Sequence, residues 1–128
     1  MKIVSMIARL LLGAVFLFFG TNTFLQFLPM GPLPAGPGGQ FVAALMASHY
    51  MYPIGVLQVV PGILLLLNRY VPLGLTLLAP VLFNILLVHL LMIPSGLPIA
   101  IVLVILWFLA AYPVRTAFYG LFQQKVQG

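Results

Sequence analysis

The sequence predicts an all-α fold: a polytopic membrane four-helix bundle, with a short extra helix before the second span. Hydrophobic residues make up 64% of the 128 residues, charged residues only 4%, and the mean hydropathy is +1.27. Soluble domains carry about 25% charged residues, and a chain this short leaves much of its surface exposed. Composition therefore excludes a soluble globular domain, and hydrophobicity excludes a disordered chain. We expect one membrane domain, residues 1–128.

The first predicted span covers about residues 3–28, close to the roughly 20 apolar residues that cross a bilayer. Only Arg9 and a few polar residues near its far end interrupt it. A secretory signal peptide also places a cation before an apolar run, but this run is longer and no A-x-A-like cleavage site follows it closely. Residues 29–39 contain Pro or Gly at eight of eleven positions. That density predicts a loop.

Pro53 and Pro61 divide the next apolar stretch. We expect a short helix over residues 40–52, lying near the membrane interface or entering at an angle, and a second span over residues 53–67. Asn and Arg in residues 68–71 then form a tight turn.

The third span is predicted over residues 72–92, with Pro72 in the favourable first turn and Pro80 interrupting the interior. A turn at residues 94–96 leads to the fourth span, residues 98–119. Its helix is expected to continue past a kink at Pro113 to residue 122, before a frayed tail.

The positive charges support this four-span arrangement. Four spans place both ends of the chain on one side, and all cations then fall on that side while the two opposite loops carry none. Positively charged loops face the cytoplasm, so the sequence predicts that both termini are cytoplasmic. The cations are Lys2, Arg9, Arg69, Arg115 and Lys125.

The chain contains no Asp, Glu or Cys. Two-carboxylate glycosidases, Ser-His-Asp triads and carboxylate-bound Ca²⁺ or Mg²⁺ are therefore excluded, as are disulfides and Fe–S clusters held by this chain. We expect no self-contained catalytic activity. Nucleic-acid binding is not expected either, because the cations are scattered singly rather than clustered.

Four polar side chains are predicted in the outer halves of the spans, where each needs a partner or a cavity. They form a candidate pocket for a polar head group such as a quinone carbonyl. The alternative is hydrogen bonding between helices, at about 0.6 kcal/mol each. The candidate pocket residues are Asn22, Gln58, Asn84 and His89.

Histidine and arginine raise two further possibilities. His49 and His89 are weak candidates for paired haem ligands, with packing or interfacial histidines the alternative. Arg9 and Arg115 cannot find a side-chain carboxylate in their own chain. Their partners are expected to be lipid phosphates; backbone carbonyls, the terminal carboxylate and acids on another subunit are the alternatives. Arg115 is also expected to form an interfacial anchor with Tyr119.

Local spacing makes two structural predictions. Gly13 and Gly20 lie seven residues apart, hence on nearly one helix face, and should permit close helix packing. Pro61 and Pro80 should each free a backbone carbonyl one turn earlier, and the neighbouring Gln58 and Asn84 are candidates to satisfy these groups.

Several segments of the chain resemble the DoxX/DoxX-like family, across roughly residues 8–118. They are residues 9–16, 20–22, 58–69 and 79–84, together with His89. The resemblance implies a four-helix membrane protein, and the best-known relatives are described as the small membrane subunit of a thiosulfate:quinone oxidoreductase. Family members commonly carry an acidic residue and a glycine where this chain has Gln58 and Pro61. Gln58, Asn84 and His89 are carried over as pocket residues.

The resemblance therefore implies a protein of the bacterial inner membrane, and the expected function is an accessory or anchoring subunit of a quinone-linked membrane redox complex. The first alternative is a stand-alone protein that binds quinone or another lipophile, and the second is a transporter of small solutes or lipids. Expected partners are membrane lipids and either other subunits or further copies of the chain, and quinone is the possible cofactor.

Overall fold

The computed structural model describes residues 1–28 and 31–125, and its regular structure is entirely helical within those ranges. The predicted all-α class is confirmed. Single 3₁₀ turns occupy Pro94–Gly96, Tyr112–Val114 and Gly120–Phe122. The α-helices are α1 (Lys2–Leu25), α2 (Pro37–Ala47), α3 (Met51–Leu67), α4 (Val71–Leu91), α5 (Leu97–Ala111) and α6 (Arg115–Tyr119).

Three helical segments are long and apolar enough to cross a membrane: α1, α4 and the run Pro94–Phe122 that contains α5. A fourth candidate arises if α2 and α3, which are bent by 87° relative to each other, form one broken span. Alone, the 17 residues of α3 measure about 26 Å, somewhat less than a hydrocarbon core of about 30 Å. The described helices thus supply three or four candidate spans against the four predicted.

The first helix ends three residues before the predicted boundary. Gln26 adopts the left-handed conformation (φ 51°), and its N–H donates to the carbonyl of Asn22. The Asn22 side-chain oxygen then accepts the N–H of Leu28 at 2.9 Å. These two bonds close the end of α1 because they satisfy backbone groups that a continuing helix would have paired.

The predicted boundaries of the loop and the short helix also shift. Residues 29 and 30 lie outside the described residues, but residues 37–39 form the first turn of α2 rather than loop. Pro37 suits this position because the first helical turn needs no N–H from it. The α2 helix ends at Ala47, and His49 turns the chain with φ 60°. Residues 51 and 52 consequently belong to α3.

The last span is interrupted near Pro113. The α-helix stops at Ala111, a 3₁₀ turn follows, and α6 resumes for five residues. Pro113 supplies no N–H, so the kink predicted at this residue takes the form of a 3₁₀ break within the helical run to Phe122. Residues 126–128 of the expected frayed tail lie outside the described residues.

Four helices close into a ring in which α1 contacts α3 and α5, and α4 contacts the same two helices. Fully buried leucines from three of them fill the centre: Leu12, Leu65, Leu75 and Leu78. The short α2 lies outside this ring, with Gly38 packed against Ile93 after the end of α4. The predicted extra helix before α3 is therefore present beside a four-helix bundle.

The α1 and α3 backbones approach closely through glycine. A Cβ on Gly13 would lie 3.0 Å from the carbonyl oxygen of Gly62, and one on Gly20 would lie 2.8 Å from Val59 Cγ2. Small residues at such contacts let helices pack backbone against backbone. The close packing predicted from Gly13 and Gly20 is confirmed.

Candidate functional site

The bundle has two chemically different ends. At the cationic end, α1 begins, α3 ends at the 68–70 turn, α4 begins and α5 ends. At the far end, α1 ends, α2 crosses to α3 and α4 turns into α5. The predicted polar pocket belongs to the far half, because Gly20 and Gln58 meet there.

Asn22 is a half-buried residue whose carboxamide belongs to the end of α1. Its side-chain oxygen accepts the Leu28 N–H, so the group stabilises the chain reversal after the helix. A ligand at this position has to compete with that intramolecular hydrogen bond or use the remaining amide donors.

Asn84 is exposed, and its Nδ2 donates to the carbonyl oxygen of Pro80 at 2.8 Å. Asn84 therefore does bond to a backbone carbonyl near the Pro80 kink, as expected. The acceptor differs from the expected one, because the carbonyl that lacks the Pro80 N–H is that of Thr76. Thr76 in turn directs its own hydroxyl to the carbonyl of Pro72, at 2.7 Å.

His89 closes the turn between α4 and α5. Its Nδ1 lies 3.1 Å from the carbonyl oxygen of Ile93, and its ring packs directly against Gly96. A carbonyl only accepts, so Nδ1 is the donor in this hydrogen bond. Gly96 is required here because a Cβ would collide with the imidazole ring.

Gln58 is half-buried and packs through its Cβ against Gly20. Within residues 1–28 and 31–125, its carboxamide makes no hydrogen bond, and no hydrogen bond joins any two of the four pocket residues. Three of the four side chains are thus tied to backbone near their own helix, and Gln58 is the one with its polar group uncommitted in this part of the chain.

The two histidines considered as haem ligands have different surroundings. His49 is exposed, and its ring stacks on Tyr52 with centroids 5.7 Å apart. Tyr52 stacks in turn on Phe24 at 5.5 Å. His49 therefore joins an aromatic column that links the α2–α3 turn to α1, while His89 serves the α4–α5 turn. Haem ligation stays a prediction.

Sequence reasoning missed an apolar groove between α4 and α5, with a volume of about 240 Å³. Trp107 forms one wall, and its Nε1 donates to the carbonyl oxygen of Leu75 at 2.9 Å across the helix pair. The available signal was the presence of a single tryptophan in the chain. The groove is lined by Ala79, Leu82, Phe83, Leu86, Val104, Trp107 and Phe108.

At the cationic end, two arginines use backbone carbonyls. The half-buried Arg9 donates a guanidinium N–H to the carbonyl of Leu65 in the last turn of α3. Arg115 donates to the carbonyl of Tyr112 at 2.6 Å and lies 4.1 Å from the centroid of the Tyr112 ring. The aromatic partner of Arg115 is therefore Tyr112, three residues earlier, where Tyr119 was expected.

These side chains offer the carboxamide of Gln58, an apolar groove beside an indole, and a cationic end in a chain without side-chain acids. The resemblance to the DoxX-like family stays a prediction. Comparison with known proteins finds no matching family model, no matching curated protein and no matching solved structure.

Proposed function

We propose that the chain is a small integral membrane protein acting as an accessory or anchoring subunit of a quinone-linked redox complex, in a bacterial inner membrane with both termini cytoplasmic. The observation that carries the membrane part is the outer surface of the bundle. Large apolar side chains are exposed on every helix of the ring, such as Ile3 at 68%, Leu67 at 63%, Phe83 at 60% and Ile99 at 68%. Apolar surface of this extent needs lipid or protein around it.

The accessory role is supported by how the polar groups are used. Asn22, Asn84 and His89 hold helix ends and turns, and the chain has no side-chain carboxylate or thiol to supply acid, base or nucleophile. Catalytic groups for redox chemistry then come from another subunit or a cofactor. The redox assignment itself rests on the resemblance to the DoxX-like family.

The topology can be tested directly because the natural chain has no cysteine. We expect Arg69→Cys to react with a membrane-impermeant maleimide only from the cytoplasmic side of sealed vesicles, and Ser95→Cys only from the opposite side. Arg69 and Ser95 are both exposed and lie in turns at opposite ends of α4. Labelling of both from one side contradicts the topology.

The subunit role is tested by mild extraction from the native membrane with a benzophenone amino acid at Phe83 or Phe108, which are both exposed on the α4–α5 face. We expect a crosslinked redox subunit that co-purifies with the chain. The matched control places the same amino acid at Phe122, which is 80% exposed after α6. A chain that purifies alone, without a crosslinked protein, contradicts the proposal.

A second candidate function, binding of a quinone or other lipophile, is favoured by the α4–α5 groove. Its volume of about 240 Å³ is below the roughly 300–1,000 Å³ typical of small-molecule pockets, which suits one segment of a longer apolar molecule. We expect a short-tailed quinone to quench Trp107 fluorescence, and Ala79→Phe to reduce that quenching by filling the groove.

The controls separate the groove from the predicted polar pocket. Ala43→Phe adds the same ring on α2, away from the groove, and should leave quenching unchanged. Asn84→Leu should abolish quinone binding if the polar pocket is the site, and preserve it if the groove is the site. Binding that survives both Ala79→Phe and Asn84→Leu excludes both sites.

A further inference from the structure

The strongest uncompensated charge in the molecule is at the cationic end. The sequence carries five Lys and Arg residues and no Asp or Glu, so no side chain of the chain neutralises them. The ring of helices brings the start of α1, the 68–70 turn and the start of α4 to this same end. Charge complementarity therefore calls for an anion from outside the chain.

Arg9 is positioned to receive such an anion. Its guanidinium is half-buried and donates to the neutral carbonyl of Leu65, a contact that orients the group without removing its charge. A guanidinium has five N–H donors, and most remain for an acceptor such as phosphate, which the planar group binds in a bidentate manner.

Arg69 is held beside Arg9 by the same turn of α3. The Arg69 backbone N–H donates to the carbonyl of Leu64 at 3.0 Å, one residue before the carbonyl that Arg9 uses. The flanking Asn68 and Tyr70 have φ values of 55° and 52°, which defines the turn and leaves the Arg69 side chain exposed. The Arg9 guanidinium and the Arg69 backbone N–H therefore bond to adjacent carbonyls of α3, so the exposed Arg69 side chain starts from the segment that Arg9 contacts.

Two neutral donor groups belong to the same segments of the chain as the two arginines. The α4 helix starts directly after Tyr70 with no side-chain cap and no acidic residue in its first turn. Pro72 has no N–H, so the N–H groups of Val71 and Leu73 and the helix dipole are what favour an anion there. Ser5 lies one turn before Arg9, on the same face of α1. Its hydroxyl is in a side chain only 3% exposed and has no hydrogen-bond partner within the described residues.

We propose that the cationic end binds the phosphate headgroup of one anionic membrane lipid between α1 and the 68–70 turn, with Arg9 and Arg69 as its charged ligands. A lipid fits better than free phosphate because apolar surface adjoins the charges: Leu67 is 63% exposed and Leu73 is 52% exposed. Acyl chains can lie on that surface while the phosphate contacts the arginines. The inference rests on the membrane embedding in the proposed function, not on the redox role.

The test measures lipid binding by native mass spectrometry of the full chain, delipidated in a neutral detergent. We expect phosphatidylglycerol to bind more tightly than phosphatidylcholine of the same acyl chains. Arg69→Gln should weaken phosphatidylglycerol binding by about fivefold, the equivalent of about 1 kcal/mol for one cation near an anionic surface. Lys125→Gln removes the same charge from an exposed residue beyond α6 and should have no comparable effect.

Arg9 variants provide the second arm. Arg9→Lys keeps the charge but loses the planar fork, and should weaken phosphatidylglycerol binding further than Lys125→Gln does. Arg9→Gln also removes the bond to Leu65 and is interpreted only if its helical circular dichroism matches the wild type. The Arg69 side chain is exposed, so Arg69→Gln should fold normally. It therefore tests lipid binding even if both Arg9 variants fail to fold.

Four outcomes overturn the inference. The first is equal binding of the two lipids, and the second is an equal loss of phosphatidylglycerol binding in Arg69→Gln and Lys125→Gln. The third is displacement of the lipid by millimolar inorganic phosphate. The fourth is loss of a co-purifying subunit in Arg69→Gln without loss of bound lipid. The last result assigns the arginines to a partner's carboxylate. Failure of the Phe83 crosslinking test removes the redox subunit role and leaves this lipid measurement intact, so the two failures are distinguishable.

Discussion

The two helix pairs α1–α3 and α4–α5 are built in opposite ways. In the first, Gly13 and Gly62 bring the two backbones into contact, and a Cβ on Gly62 would lie 2.8 Å from the backbone nitrogen of Leu17. In the second, Trp107 and Phe83 are among the large side chains that line a groove of about 240 Å³ between the helices. Tight backbone packing leaves no space for a ligand between α1 and α3, whereas packing through large side chains leaves such a space between α4 and α5.

The contrast suggests different roles for the two helix pairs: α1–α3 holds the bundle together, and α4–α5 provides the space for a ligand. The α1–α3 pair gains from dispersion contacts that small residues permit, which is the main source of helix association in lipid. The α4–α5 pair gives up part of that contact and keeps a cross-helix hydrogen bond from Trp107 to Leu75. We therefore expect substitutions in the first pair to change folding most, and substitutions in the second to change ligand binding most.

The largest expected effect is that of Gly62→Ala. The added methyl group meets backbone atoms of Leu17 and Gly13 at 2.8 and 3.0 Å, which cannot rotate away, so the two helices must separate. We expect a loss of roughly 3 kcal/mol, at the upper end of overpacking costs, in unfolding by sodium dodecyl sulfate followed by Trp107 fluorescence.

Gly74→Ala is the matched control for that variant. Gly74 is also a buried helical glycine, but its nearest neighbours would lie 3.4 Å or more from a new Cβ. It should be neutral or stabilising by up to about 1 kcal/mol, the helix preference of Ala over Gly. Equal destabilisation by both substitutions would show that backbone contact between α1 and α3 has no special role.

The intermediate effect is that of Trp107→Phe. The smaller ring loses the hydrogen bond to Leu75 and leaves a void beside the core, so we expect a loss of about 1–2 kcal/mol. Thermal unfolding by circular dichroism measures it, since the variant has no tryptophan. Phe108→Leu, at a groove residue that is 65% exposed, should cost less than half as much, and a larger cost there contradicts the assignment of Trp107 as the principal contact.

The smallest expected effect is that of Asn84→Leu. Among the described residues, the exposed Asn84 side chain bonds to the Pro80 carbonyl of its own helix, so its loss should cost no more than about 0.6 kcal/mol, the average for a hydrogen bond between membrane helices. The same thermal unfolding measurement applies. A loss above about 1.7 kcal/mol, the upper end for one hydrogen bond between membrane helices, would contradict the assignment of Asn84 to a bond within α4.

The elements were predictable to the extent that local chemistry defines them. Pro72 in the first turn of α4 and the glycines on one face of α1 are found where spacing placed them. The end of α1 was missed, because the left-handed Gln26 has no sequence signal as clear as a glycine. The loop boundary was missed because Pro37 starts a helix as readily as it ends one.

The candidate site was less predictable than the elements. Polarity correctly identified Asn22, Asn84 and His89 as side chains that need partners, but their partners turned out to be backbone carbonyls and an N–H close in sequence. The groove at Trp107 had no polar marker, and periodicity does not tell which apolar side chains leave a space between them. Arg9 was expected at a lipid phosphate, and its contact with Leu65 depends on how far α1 lies from the end of α3.

By itself the sequence determined the all-helical class, the apolar character of the helices and the complete absence of side-chain acids, because these follow from composition and period alone. Only the tertiary structure decided which helices touch, where the groove opens and that the Arg9 guanidinium reaches the carbonyl of Leu65, next to the carbonyl that accepts the Arg69 backbone N–H. The physical reason is that nearly every residue here is apolar, so hydrophobicity cannot select one helix pairing over another. The pairing is selected by shape instead: glycines let two helix backbones come into contact, and aromatic rings prevent such contact.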